Sequence, residues 1–361
     1  MELRGKLLLL VVSTVLSLAA AEVGLRLAGP APWLYPVDPP KEALMVEHPR
    51  FGYGLRPGKV EEHWSRGSWK IRVEINEAGQ RDEPLSEARD ASLRAIAVGD
   101  SFTFGIGVEG EETWPEVLEG LLSARAGRIA SVVNTGVPGY SARQMRLRAL
   151  DLLDELDPDL VIAGLYANSY WRVRDPYAVF GGAIVMSSEL PHLDTTTAGE
   201  LVFTPFSPGP LRELDVWLKG HLWVPARIFE PIGRRLWPDA VVPIDLPDRS
   251  EWTDADYRPV FDELEQLRES LSARDVPLVL LIVNRQEESG TFSTDEHRYN
   301  DYVARYCEAT DLPLANPLPR MEEEARGRPI FRTPADMHWT PAAHRIAAET
   351  VLETVASEDL L

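Results

Sequence analysis

The residues best suited to chemistry begin with Ser101, in the stretch "AIAVGDSFTFGIG" at 95–107. An apolar run ends at Gly99, and Asp100 and Ser101 follow at once. Two chemistries fit glycines and a serine at the end of a strand. A phosphate cradle needs a Lys-Ser/Thr pair after its glycines or a G-x-G-x-x-G turn, and neither is present. Asp100 would also set a carboxylate where phosphate must sit. A nucleophilic serine fits better, because ligands gather at the carboxyl ends of parallel strands. It is not the G-x-S-x-G elbow, since Thr103 stands where the second glycine belongs.

A serine needs a base. The segment "TPADMHWTPAAHRIAAE" near the C-terminus offers Asp336, His338 and His344. Asp336 and His338 are two apart, so in an extended segment they share a side. Asp336 can then hold the Nδ1 proton of His338 and leave Nε2 for Ser101. His344 is the rival base, but it falls in the helix beginning near Pro341, where packing is the plainer role. Attack on an ester also needs fixed donors for the oxyanion. Gly139, in "NTGVPGYSAR", can offer a backbone N–H with no Cβ in the way. Asn168, in "LYANSYW", can offer a side-chain amide. Taken one at a time, these have plain readings: a capping serine, a turn glycine, a loop asparagine and a helix-start aspartate.

The elements that would position these residues alternate regularly. "RAIAVG" at 94–99 predicts a strand and "TWPEVLEGLLSA" a helix with Thr113 as N-cap and Pro115 early in it. "RIASVVN" predicts a second strand. "SARQMRLRALDLLDEL" predicts a helix capped by Ser141, and "DLVIAGLY" at 159–166 a third strand. Strand and helix in alternation imply a parallel sheet with right-handed crossovers. The rhythm stops over about 170–250, rich in Pro, Gly and Trp, which reads as an insertion: a lid, a substrate-facing subdomain or a structural elaboration. It resumes with the helix "DADYRPVFDELEQLRESLSARD", the strand "PLVLLIVN" at 277–284, a helix near 297–309, the short strand "LPLAN" and a last helix over 341–357.

Together these blocks resemble the SGNH, or GDSL-type, hydrolase superfamily. "GDSFTFG" corresponds to its Ser block, "NTGVPGYSAR" to its Gly block, "YANS" to its Asn block and "DMHWTPAAH" to its Asp/His block, over roughly 94–350. The resemblance implies an α/β fold, a three-layer α/β/α sandwich with a five-stranded parallel sheet of flavodoxin-like order. It implies Ser101 as nucleophile, His338 as base, Asp336 as its orienter, and an oxyanion hole from the Ser101 and Gly139 N–H groups and Asn168. No cofactor is expected, and no metal, because the His residues are too scattered for metal-ligand spacing and no Cys/His ligand pattern is present. The upstream segment "HPRFGYGLRPG…INEAGQRDEP" looks like the leader of membrane-anchored bacterial members, whose general role is carbohydrate-ester or lipid-ester chemistry. There are departures: Ser169 follows Asn168 where Asp is usual, Asp-x-His replaces a common Asp-x-x-His, and Ala343 stands where a Gly commonly precedes the second His. The shorter dyad followed by Trp339 resembles members that handle acetyl groups on exopolysaccharides.

Bulk properties bound the rest. The 361 residues carry a net charge of −20 with no dense Lys/Arg run, which argues against nucleic acid as a partner. The single cysteine, Cys307, has no partner for an internal disulfide and lies in a predicted helix as an inert thiol. At the start, Arg4 and Lys6 precede "LLLLVVSTVLSLAAA", an apolar run of export-signal length whose apolar character resumes after Glu22. Residues 1–28 are thus expected to be a signal anchor or a signal peptide, 29–92 a Pro-rich linker and a β-containing segment, and 93–361 the hydrolase domain. The expected place is the cell envelope, with an extracytoplasmic catalytic domain held through the N-terminal helix, or a secreted protein. The expected activity is removal of small acyl groups from a carbohydrate or related envelope ester through an acyl-serine. An O-acyltransferase using the same acyl-serine and a catalytically inactive envelope protein are the alternatives.

Overall fold

The computed structural model describes residues 2–28, 44–65, 69–167, 169–173, 177–180, 183–186, 193–195, 201–203, 252–286, 290–325, 330–331 and 338–361. Asn168, Asp336, the Pro-rich stretch 29–43 and most of the 170–250 insertion lie outside the described residues. The chain divides into two compact units. One comprises Met1–Ala43, Gly181–Ala183 and Pro205–Asp245. Its described helix, α1 (Glu2–Ala28), holds a span Gly5–Leu25 with mean hydropathy 2.2 and no buried residues in that window. At 1.5 Å per residue, α1 is about 40 Å long, so by length and composition it can cross a membrane.

The second unit holds the sheet. Its five strands are β5 (Leu93–Gly99), β6 (Ala130–Asn134), β7 (Leu160–Tyr166), β12 (Leu278–Val283) and β13 (Leu314–Ala315), in the order β13-β12-β7-β5-β6. Every pairing is parallel. Read by order of appearance, this is 2-1-3-4-5, the flavodoxin-like doubly wound arrangement. β5, β6, β7 and β12 are buried at every position except Arg94, which is why they read as continuous apolar runs and not as alternating ones. The flanking helices are α4 (Trp114–Ala126), α5 (Ala142–Leu156), α7 (Asp254–Ser272), α8 (Thr294–Thr310) and α10 (Pro341–Ser357). α4 packs against α10 and α5 against α7, giving the helical layers of an α/β/α sandwich. Ser141 caps α5 in a box with Gln144. Thr113 occupies the N-cap position of α4 as expected but makes no side-chain cap bond, and its hydroxyl is buried without a hydrogen-bond partner. The Pro at the start of that helix and the Thr113 backbone suffice to begin it.

The segment before the sheet belongs to the same unit. It forms two antiparallel hairpins, β1 (Met45–His48) with β2 (Gly52–Leu55) and β3 (Val60–Ser65) with β4 (Trp69–Glu74). Phe51, Tyr53, Leu55, Ile71, Val73 and Ile75 are buried in one core with the sheet residues.

Candidate active site

The switch point of this strand order lies between β5 and β7, and β5 delivers Ser101 there. The chain leaves β5 at Gly99 and turns into α3 (Ser101–Phe104), a single helical turn. Asp100 is its N-cap: Oδ1 accepts the Phe102 N–H at 3.1 Å. Gly105 ends the turn in the left-handed region at φ +86°, and its N–H reaches the Ser101 carbonyl at 3.0 Å. Ser101 is partly exposed, whereas Phe102, Thr103 and Phe104 are buried.

Three glycines let this turn sit against the sheet. A Cβ on Gly99 would lie 1.9 Å from the Thr103 hydroxyl, and one on Gly164 of β7 would lie 2.6 Å from the same oxygen. A Cβ on Gly136, in the loop after β6, would lie 2.3 Å from the Phe104 backbone nitrogen. No side chain larger than hydrogen fits these places, so α3 is seated by absent side chains. Gly99 thus makes space for Thr103.

His338 brings Nε2 to 2.9 Å from the Ser101 hydroxyl. That is within reach of a base taking the serine proton. Its neighbour Trp339 anchors the segment. Trp339 is fully buried, donates Nε1–H to the Asn284 carbonyl at 2.9 Å and pairs across an antiparallel bridge with Phe331. The Phe102 ring lies 5.0 Å from the His338 ring and 5.3 Å from the Trp339 ring. His344 lies elsewhere. It is buried in α10, and its Nδ1 accepts the Trp114 N–H at 3.1 Å. That bond ties α10 to the first turn of α4. The structure therefore brings His338, and not His344, to Ser101.

The Gly block forms a tight turn over Val137–Tyr140, closed by the Tyr140 N–H on the Val137 carbonyl at 3.1 Å, with Gly139 at φ +88°. Val137 N–H also reaches the Gly99 carbonyl at 3.2 Å, binding this loop to the turn that carries Ser101. Among the described residues, neither the Gly139 N–H nor the Ser101 N–H donates to a protein acceptor. For Ser101 this follows from its place at the head of a helix, where the first N–H groups have no intrahelical partner.

Several residues around the site carry no sequence motif of their own. Asp100 lies in the Ser block, where the sequence reading assigned it no role except as an obstacle to phosphate. Here its Oδ2 faces Arg172 Nη1 at 3.5 Å, and both side chains are almost wholly buried. Burial pushes the Asp100 carboxyl up, while Arg172, the Phe102 N–H and the charge of His338 pull it down. Arg81 donates through Nη1 to the carbonyls of Phe104 at 3.0 Å and Gly105 at 2.6 Å, and through Nη2 to Val108 at 2.7 Å. Its guanidinium also stands 5.1 Å above the Phe104 ring. Asp82 accepts the Asn134 N–H at the end of β6. An Arg-Asp pair in a loop is too common to point at a site from sequence. Among the described residues no cluster of three or more His, Cys, Asp or Glu could hold a metal ion.

A model of the GDSL-like lipase/acylhydrolase family matches residues 97–346, and the chain belongs to that family. An arylesterase from Vibrio mimicus is 33% identical over 95 residues, which is 26% of this chain and 47% of the relative. The match thus spans about half the length of that curated relative. Among solved structures, TesA is 16% identical at a TM-score of 0.41, covering 74% of this chain and 99% of TesA. A mutant of Axe2, an acetylxylan esterase from Geobacillus stearothermophilus, is 15% identical at a TM-score of 0.41, covering 73% of this chain and 94% of Axe2.

Proposed function

We propose that the chain is a serine-dependent ester hydrolase working through an acyl-Ser101 intermediate. The observation that carries the reading is the 2.9 Å approach of His338 Nε2 to the Ser101 hydroxyl. Family membership and the likeness to an arylesterase support it. His338 takes the hydroxyl proton as Ser101 attacks the ester carbonyl, and the tetrahedral oxyanion is held by the Ser101 and Gly139 N–H groups with Asn168. The imidazolium then protonates the departing alcohol, leaving the acyl-enzyme. Water, deprotonated by His338, releases the acid and restores the serine. Asp336 orients His338 and stabilises its charge.

The substrate class we assign is an O-acylated carbohydrate or related envelope ester with a small acyl group. α1 holds the catalytic unit at the membrane, with that unit outside the cytoplasm. The test is turnover of p-nitrophenyl acetate by the full chain in mild detergent, beside Ser101→Ala and His338→Ala. Both variants should lose on the order of a thousandfold or more in kcat. Variants as active as the wild type would overturn the reading. Acyl transfer to an added oligosaccharide, with no turnover in water, would make the enzyme a transferase.

A further inference from the structure

The family match begins at residue 97, yet the hairpin of β1 and β2 upstream of it touches the Gly block directly. Tyr53, fully buried on β2, donates its hydroxyl to the Pro138 carbonyl at 2.8 Å. Tyr140 returns the contact, donating its hydroxyl to the Tyr53 carbonyl at 2.7 Å, and the two rings meet edge to face at 5.2 Å. The Pro138 carbonyl and the Gly139 N–H belong to one peptide unit. That unit is planar and trans, so the two groups point in opposite directions. Whatever holds the carbonyl holds the direction of the N–H.

The turn makes that direction a real choice. Val137-Pro138-Gly139-Tyr140 has Pro at the second position and Gly at φ +88° at the third, closed by the Tyr140 N–H on the Val137 carbonyl, which is a type II β-turn. Type I differs chiefly by rotation of the central peptide through about 180°, and both Pro and Gly are allowed there too. Rotation would replace the Gly139 N–H with the Pro138 carbonyl oxygen, a repulsive group for an oxyanion. Rotation would also withdraw the carbonyl from the Tyr53 hydroxyl and break that buried hydrogen bond.

We infer that Tyr53 is a positioning residue: its hydroxyl locks the Pro138–Gly139 peptide with the N–H aimed at the developing oxyanion. The inference rests on the reading of Gly139 as an oxyanion donor. It makes the hairpin part of the catalytic unit and explains why the hairpin shares the sheet's core. Bonding at the carbonyl also polarises the peptide and strengthens its N–H as a donor.

Tyr53→Phe keeps the ring and deletes the lock. In the full chain, kcat for p-nitrophenyl acetate should fall about tenfold with KM within about twofold, because a donor used only in the transition state is weakened. Labelling of Ser101 by a fluorophosphonate should slow by a similar factor. Gln144→Leu cuts a different hydrogen bond of the same hairpin, from Gln144 Nε2 to the Phe51 carbonyl at 2.8 Å, together with its capping bonds to Ser141 at the start of α5. It should lower Tm comparably and leave kcat within about twofold. If Tyr53→Phe retains wild-type kcat while Ser101→Ala is inactive, Tyr53 has no positioning role and the esterase reading stands. If Gln144→Leu lowers kcat as much as Tyr53→Phe, the effect is general loosening and the inference fails. If Ser101→Ala itself stays active, the esterase reading falls and takes the inference with it.

Discussion

Adding one methyl group to Gly164 should impair the chemistry proposed for Ser101. The new Cβ would lie 2.6 Å from the Thr103 hydroxyl, and its next contacts, Val98 O and Trp114 Cζ2, are at 3.6 and 3.8 Å. A comfortable heavy-atom contact needs about 3.5 Å, so a displacement approaching 1 Å is required. Thr103 cannot supply it by turning its hydroxyl toward β5, because that oxygen is already where a Cβ of Gly99 would be. Gly164 is held in β7 between β5 and β12, so α3 must move, and Ser101 moves with it. A misplacement of about 1 Å costs on the order of a hundredfold in rate, and overpacking a core costs about 1–3 kcal/mol. Gly164→Ala is therefore expected to lose about 10- to 100-fold in kcat/KM on p-nitrophenyl acetate while remaining folded by thermal melting. Thr103→Ala removes the one clashing atom among the described residues, so the double variant should come within about threefold of Thr103→Ala alone. Such a rescue corresponds to a coupling of about 1–3 kcal/mol. Gly136→Ala meets the backbone of Phe104 instead, at 2.3 Å, and Thr103→Ala should not rescue it. Wild-type activity in Gly164→Ala, or equal rescue at both glycines, would refute the idea that this seat sets the position of the nucleophile.

Two further outcomes follow from charged groups buried in the unit that holds the sheet. Glu116 is pushed up to about 7 by burial, with Glu119, Glu83 and Glu111 adding to the shift. A carboxyl raised in the fold binds its proton more tightly there than in the unfolded chain, so its contribution is full at low pH and is lost as pH rises through about 4.5 to 7. Glu116→Gln should therefore melt close to the wild type at pH 5 and higher than it at pH 8, and a Tm gap that is constant with pH would count against this. Arg172→Met removes the cation that faces the buried Asp100, and breaking a buried ion pair costs about 3–5 kcal/mol. Asp100→Asn combined with Arg172→Met should recover part of that loss in denaturant unfolding, and strict additivity of the two changes would show that the pair is not coupled.

The alternation of strand and helix was legible because parallel strands buried on both faces must be apolar throughout, and their connecting helices must be amphipathic. That reading recovered all five sheet strands and placed the last helix at its observed limits, Pro341–Ser357. The nearness of His338 to Ser101 was legible for a different reason. Asp-x-His just before a terminal helix, together with a serine at the end of the first sheet strand, made a pair worth testing across 237 positions of sequence. The Asp-x-His spacing favoured His338 and a helical position left packing to His344. The structure sets His338 against Ser101 and gives His344 the Trp114 N–H, a hydrogen bond that no local pattern announces.

What sequence hides is tertiary and made of backbone. Arg81 acts by donating to three carbonyls, and a carbonyl has no residue type, so nothing near Phe104, Gly105 or Val108 marks them as acceptors. Tyr53 likewise acts on the carbonyl of Pro138. The glycines at 99, 136 and 164 converge only after three separate strands are laid side by side, and each taken alone reads as a turn or a weak point in a strand. The catalytic groups can be found from side-chain chemistry because acid–base work needs particular side chains. The groups that aim them need only a donor of the right reach, and many residues meet that need. On the proposed reading, a short signature marks the serine while its precision rests with a hairpin whose Tyr53 lies 48 residues upstream of Ser101. Substitutions in that hairpin should then act on kcat through the direction of one peptide, even where every signature residue is intact.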